Sequence, residues 1–143
     1  MSEKVFPYII RNVHLDNWKL SDSELKATDE LRLSSGFAFE KSVDANFIKC
    51  LSRLAISKNN GDFIAVDLSC IFEIEQQTFE SMFSEDRKSF TIPKNFCQYM
   101  ASIAEGASRG VITAKLDGTE LEQFVLPPIN LTKTITTDAE FKL

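Results

Sequence analysis

The single histidine of the chain, His14, stands two residues before Asp16, and an imidazole beside a carboxylate is part of the apparatus of general-base catalysis. Such a pair needs a nucleophile delivered by the fold, and a histidine near the end of a strand is more simply read as solvent-facing. Neither Gly110 nor Gly118 belongs to a GxGxxG or GxxxxGK[ST] pattern, so the sequence offers no phosphate cradle. Cys50, Cys70 and Cys97 are odd in number, widely spaced and free of any CxxC pair. That argues against a disulfide framework and against a zinc site, and it fits a reducing compartment. The expectation is a protein without metal or cofactor, and no enzyme. Asp67, Glu73 and Glu75 fall on one side of an alternating segment. Catalysis there would require a cleft that raises one carboxyl pKa, so two readings remain open, a solvated sheet face and a docking face for a basic partner.

The informative excess is phenylalanine, with twelve Phe against one Trp and two Tyr. Phe72 and Phe96 fit a core. Trp18, Leu31, Leu33, Phe37 and Phe39 lie in or beside a polar stretch, and Phe79, Met82 and Phe83 lie in an acidic connection. Both groups suit either a core or subunit interface or an open groove for apolar client segments. Aromatic and thioether side chains accept varied apolar partners with few directional bonds.

The elements that must position these residues follow from periodicity. Val5 to Val13 is β-branched and aromatic and reads as a strand, and the polar stretch Asp16 to Glu30 as a crossover loop. Leu31 to Phe39 alternates with period two, as does Asn46 to Ser57. Lys58-Asn59-Asn60-Gly61-Asp62 tolerates positive φ and predicts a hairpin into Phe63 to Glu75, where Ile64, Val66, Leu68, Cys70, Phe72 and Ile74 share a face. A helix from Pro93 to Arg109, halted at Gly110, carries Phe96, Met100, Ile103, Ala104 and Ala107 as its stripe. Strands followed by one amphipathic helix predict an α+β domain over residues 1–143. Composition is that of an ordinary globular chain, with 43% hydrophobic and 26% charged residues, so neither disorder nor membrane insertion is expected. A formal charge of −5 disfavours nucleic acid. The first residues carry no basic segment leading into an apolar run, which predicts a cytoplasmic protein.

Cys70-Ile71-Phe72-Glu73-Ile74 closing a strand, Pro93-Lys94-Asn95 and Tyr99 opening a helix, Ser108-Arg109-Gly110 ending it, and Leu126-Pro127-Pro128-Ile129-Asn130-Leu131 together resemble the central pattern of the SecB export-chaperone family. The resemblance covers residues 70–131 through the order and spacing of these pieces. It implies a four-stranded antiparallel Greek-key sheet with one long helix on a face, assembled as a homotetramer, a dimer of dimers, in the bacterial cytoplasm. It further implies ATP-independent holding of unfolded precursor proteins and their delivery to the SecA motor of the Sec machinery. The sheet face bearing Phe63, Asp67, Glu73 and Glu75 would then meet the motor, and the two aromatic groups would hold client. A variant of this reading is a chaperone dedicated to one partner such as an antitoxin. From a different class, an α+β domain enclosing a small apolar ligand under its helix also fits the pattern. Two departures stand out. Val111 to Gly118 reads as an inserted extended excursion turning at Asp117-Gly118, and residues 132–143, with Thr132, Thr134, Thr136 and Thr137, read as a short flexible tail in place of a second helix and acidic tail.

Overall fold

A computed structural model of the chain describes residues 7–21, 26, 28–122 and 126–143. Its main sheet grows from a two-residue reversal. Asn59 and Asn60 adopt φ of 51° and 73°, the left-handed conformation that asparagine tolerates, and Lys58 pairs directly with Gly61. This turn joins β3 (Phe47–Lys58) to β4 (Gly61–Ile74) as a long hairpin. β2 (Leu31–Lys41) lies antiparallel on the far side of β3, and β1 (Tyr8–Leu20) lies antiparallel on the far side of β4. The order β1-β4-β3-β2 is a Greek key, because the connection after β1 must carry the chain from one edge of the sheet to the other.

β1 runs past Val13 to Leu20, so Asp16 to Leu20 form strand where a loop was expected. The polar residues mislead because two bulges, between Ile10 and Asn12 and between Leu15 and Asn17, each absorb one residue. With those residues taken up, Ile10, Val13, Leu15 and Trp18 all fall on one face, opposite Phe72, Cys70, Leu68 and Val66. Val5 and Phe6, which open the expected strand, lie outside the described residues, as do 22–25 and 27 of the expected crossover.

After β4 the chain makes the short helix α1 (Gln76–Glu80), the strand β5 (Ser89–Ile92) and the long helix α2 (Lys94–Leu116), about 34 Å at 1.5 Å per residue. Helix α2 does not stop at Gly110. Ile112 and Leu116 prolong the buried stripe of Phe96, Met100, Ala104 and Ser108, and this packing outweighs the weak helix propensity of one glycine. Val111 to Leu116 is therefore helix rather than an extended excursion, and the break comes at Asp117 and Gly118, the latter at φ 76°. Arg109, instead of ending the helix, pairs with Glu105 and donates to the carbonyl oxygens of Leu126, at 3.0 Å, and Pro127. It fastens the returning Leu126-Pro127-Pro128 segment to the helix flank.

The last residues also differ from a loose tail. Leu131–Thr134 forms a helical turn, α3, whose Asn130 side chain accepts from the Thr132 N–H at 3.1 Å. Ala139–Lys142 forms β6, paired antiparallel with β5. Between them Gln98 donates to the Ile135 carbonyl at 2.8 Å, and the Asp138 carboxylate accepts the first N–H of α2, from Lys94, at 2.7 Å. That carboxylate satisfies a helix-end donor that no local side chain reaches.

Helix α2 lies across β3 and β4, and the core sits between them, built from Ile48, Leu54, Phe72, Phe96 and Met100 among others.

Candidate functional site

The sheet is four strands wide and α2 packs on its two central strands, so side chains of the edge strands on the same face flank the helix. On β2 the register sets Phe39 opposite Cys50, Phe37 opposite Ser52, Leu33 opposite Ile56 and Leu31 opposite Lys58. These four β2 residues share the helix-bearing face. Leu33, Phe37 and Phe39 are half-buried and Leu31 is 38% exposed, so they form an apolar strip beside the helix. From Leu31 to Lys41 the strip is about 33 Å long at 3.3 Å per residue. The opposite margin is β1, where Ile10 and Val13 are 41% and 48% exposed while Leu15 and Trp18 pack against the core.

Trp18 is thus on the same face as Phe37 and Phe39 but at the other edge, three inter-strand spacings or about 14 Å away. The structure does not gather it into one groove with them. Phe79, Met82 and Phe83 make a third group. Phe79 and Met82 are buried, and the rings of Phe79, Phe83 and Phe90 stand 4.9 to 5.7 Å apart with Phe141 of β6 6.1 Å from Phe90. Arg87 lies 4.1 Å over the Phe83 ring. Phe79 and Met82 thus belong to a packed aromatic cluster rather than to an open groove, and Phe83 alone of the three is partly exposed. The cluster adjoins the β2 strip, because Lys41, on the same face as Phe39, holds its Nζ 5.3 Å from the centres of both Phe83 and Phe90. Phe90, Phe141 and the exposed Ile10 and Val13 were not singled out by sequence. The pairing of β5 with β6 and the bulges of β1, which place them, leave no periodic signal.

The acidic row divides. Asp67 receives both a 2.9 and a 2.8 Å hydrogen bond from Arg53, which also reaches Asp62 at 3.2 Å. Glu73 is paired with Arg11 of β1 at 2.5 Å. Glu75 is exposed at the start of α1, where its carboxylate accepts from the Thr78 hydroxyl at 3.4 Å. Phe63 does not join them. It is the extra residue of a bulge opposite Ile56 and Ser57, is 1% exposed in the core cluster, and carries the Lys58 ammonium 5.2 Å over its ring.

Asp16 accepts from His14 Nδ1 at 2.7 Å and from the Ser69 hydroxyl at 3.3 Å. The hydroxyl therefore meets the carboxylate and not the imidazole, the reverse of the order that activates a serine. Cys50 and Cys70 face one another across β3 and β4, and Cys97 donates to the Ile92 carbonyl at 3.6 Å. Burial pushes all three thiols up, Cys97 to about 11, which keeps them protonated and unreactive. Among the described residues no cluster of His, Cys, Asp or Glu is placed to hold a metal ion, and no helix is long and apolar enough to cross a membrane. Tyr8 donates to the Tyr99 hydroxyl at 2.8 Å, tying β1 to α2, and burial followed by this contact raises the Tyr8 phenol to about 12.

No known family matches the chain by sequence, and no curated protein does. Among solved structures it is similar to a SecB-like chaperone of Mycobacterium tuberculosis in complex with a peptide from an antitoxin, at 14% identity, over 85% of this chain and 90% of that one, with a TM-score of 0.47. It is also similar to a protein of unknown function from Streptococcus agalactiae, at 14% identity, over 81% of this chain and 95% of that one, with a TM-score of 0.32.

Proposed function

We propose that the chain is an ATP-independent holdase that keeps other polypeptides unfolded by binding their apolar segments along the β2 strip. The observation that carries this reading is the mismatch between a sheet four strands wide and a helix that packs on its central two, which leaves Leu31, Leu33, Phe37 and Phe39 beside the helix and accessible. An extended client alternates its side chains as a strand does, so every second residue meets the strip. Each apolar side chain buried there contributes roughly 1.5 to 3 kcal/mol before the cost of ordering the client is subtracted. Individual contacts stay weak, and tight holding needs several strips on one assembly.

The two margins take different roles in this reading. On β1 the exposed large apolar residues are the β-branched Ile10 and Val13 on the helix-bearing face and Ile9 on the other, beside a strand edge thirteen residues long that none of the described residues pairs with. Stiff side chains and unpaired backbone suit a fixed partner, a second copy of the chain in a homotetramer. Aromatic β2 suits changing partners. Export through the Sec machinery is the finer part of the proposal and rests on the sequence resemblance. A motor docking on the acidic face meets Asp67 and Glu73 already paired with arginines, which leaves Glu75 as its freest contact. A chaperone for one dedicated client would use the same strip and differ only in client range.

The experiment is suppression of aggregation. The purified protein, added to a chemically unfolded polypeptide diluted into buffer, is expected to abolish light scattering at about one assembly per client, without nucleotide. Unchanged scattering at that ratio contradicts the reading.

A further inference from the structure

We propose that β6 is a displaceable strap, lying where an extended, aromatic-bearing client segment docks as a new strand on β5. This rests on the holdase reading and states how the client strip ends. The strip on β2 leads directly to the strap, since Lys41, at its end, reaches Phe83 and Phe90, and Phe90 is the residue that pairs with Phe141 of β6. The strap itself displays the chemistry the place accepts. Ala139 and Phe141 point inward opposite Ile92 and Phe90, while Glu140 and Lys142 are exposed, so the site takes one aromatic residue in an alternating extended segment.

The hold on β6 is short. It has four residue pairs with β5, against eleven between β1 and β4, and adds the Leu143 N–H to the Lys88 carbonyl at 2.9 Å and the Asp138 contact to α2. Leaving, it uncovers one edge of β5 and the Phe90 ring together. The other edge stays occupied by the Thr91 N–H to Met82 carbonyl bond and the Phe83–Phe90 bridge. An incoming strand with an aromatic residue at the Phe141 position restores both the ladder and the ring contact. A client that lies along β2 and continues onto β5 makes two linked contacts, and the second gains from the first.

Thr91 and Glu140 are directly opposed and outward-facing, and opposed residues in an antiparallel pair have a Cα spacing that a disulfide spans. The test is the double variant Thr91→Cys/Glu140→Cys, compared in its oxidised and reduced forms, with reduced and carboxymethylated α-lactalbumin as the unfolded probe. The oxidised form is expected to bind the probe about five- to tenfold more weakly than the reduced form, the size of effect that loss of one of two linked contacts gives. Phe141→Ala, which leaves Asp138 in place, is expected to bind it more tightly than the natural chain. Equal binding by the oxidised and reduced forms, with the reduced form matching the natural chain, overturns the strap and leaves the holdase reading standing. A covalent dimer on a non-reducing gel assigns the strand to a second copy and also overturns it. No binding by the natural chain removes the holdase reading and the strap with it.

Discussion

Two aromatic regions of this molecule are made from the same residue types and end in opposite circumstances. On β2, Leu33, Phe37 and Phe39 have the sheet beneath them and the helix on one side only, and they stay partly exposed. Between α1 and β5, Phe79 and Met82 are buried, Phe83 stays partly buried but packs on the rings of Phe79 and Phe90, and Phe141 of β6 covers the fully buried Phe90. Composition is shared, so it does not decide which region is a surface. What decides is whether another strand arrives to cover the ring faces, and on β2 none of the described elements does.

The sharpest way to break the comparison is stability. Phe90 is fully buried at the centre of the aromatic cluster, and Phe90→Ala is expected to cost about 3 to 5 kcal/mol in urea unfolding. Phe37→Ser, on the open strip, is expected to cost less, about 1.5 to 2.5 kcal/mol, because part of its ring is already in water. Equal losses would mean that the strip is core. Binding should reverse the ranking among folded variants. Phe37→Ser with Phe39→Ser is expected to weaken affinity for an unfolded polypeptide roughly ten- to a hundredfold, as loss of two apolar contacts implies, measured by fluorescence titration. Ile10→Ser with Val13→Ser should instead lower the assembly mass by light scattering.

Alkaline pH probes the closed core. The Cys97 thiol has its pKa raised by burial from 9.0 to about 11, so the unfolded chain loses that proton first as pH rises. Stability is expected to hold up to about pH 9 and to fall from there towards 11, read from urea midpoints, with a Cys97→Ala variant falling less. The smallest effect concerns the helix that leaves the strip uncovered. A Cβ at Gly106 or Gly110 meets nothing within 4 Å, and both residues sit inside α2, so each Gly→Ala change should stabilise by about 0.5 to 1 kcal/mol without altering client affinity.

Much of this was legible. The alternation of Leu31 to Phe39, the Asn59-Asn60 reversal and the even-numbered face of β4 announce the sheet, because a strand with one buried face repeats every two residues. Three things were hidden for physical reasons. Bulges in β1 break the period and disguise Trp18 as a loop residue. Gly110 after Arg109 imitates a helix stop, while the packing of Ile112 and Leu116 carries the helix on. Strand β6 is four residues long and depends on β5, fifty residues earlier in the chain, so nothing local marks it. Of the candidate site, the β2 residues were readable as a face, but their openness was not. Openness depends on where the helix lies across the sheet.

Hydrogen exchange of the backbone amides, with and without one equivalent of a permanently unfolded polypeptide, tests the central claim most directly. Client binding along β2 predicts added protection concentrated in residues 31–41, with the centre of β4 unchanged because it is already protected. Protection confined to β1 or to the face bearing Asp67 and Glu73, with β2 unaffected, would contradict the account.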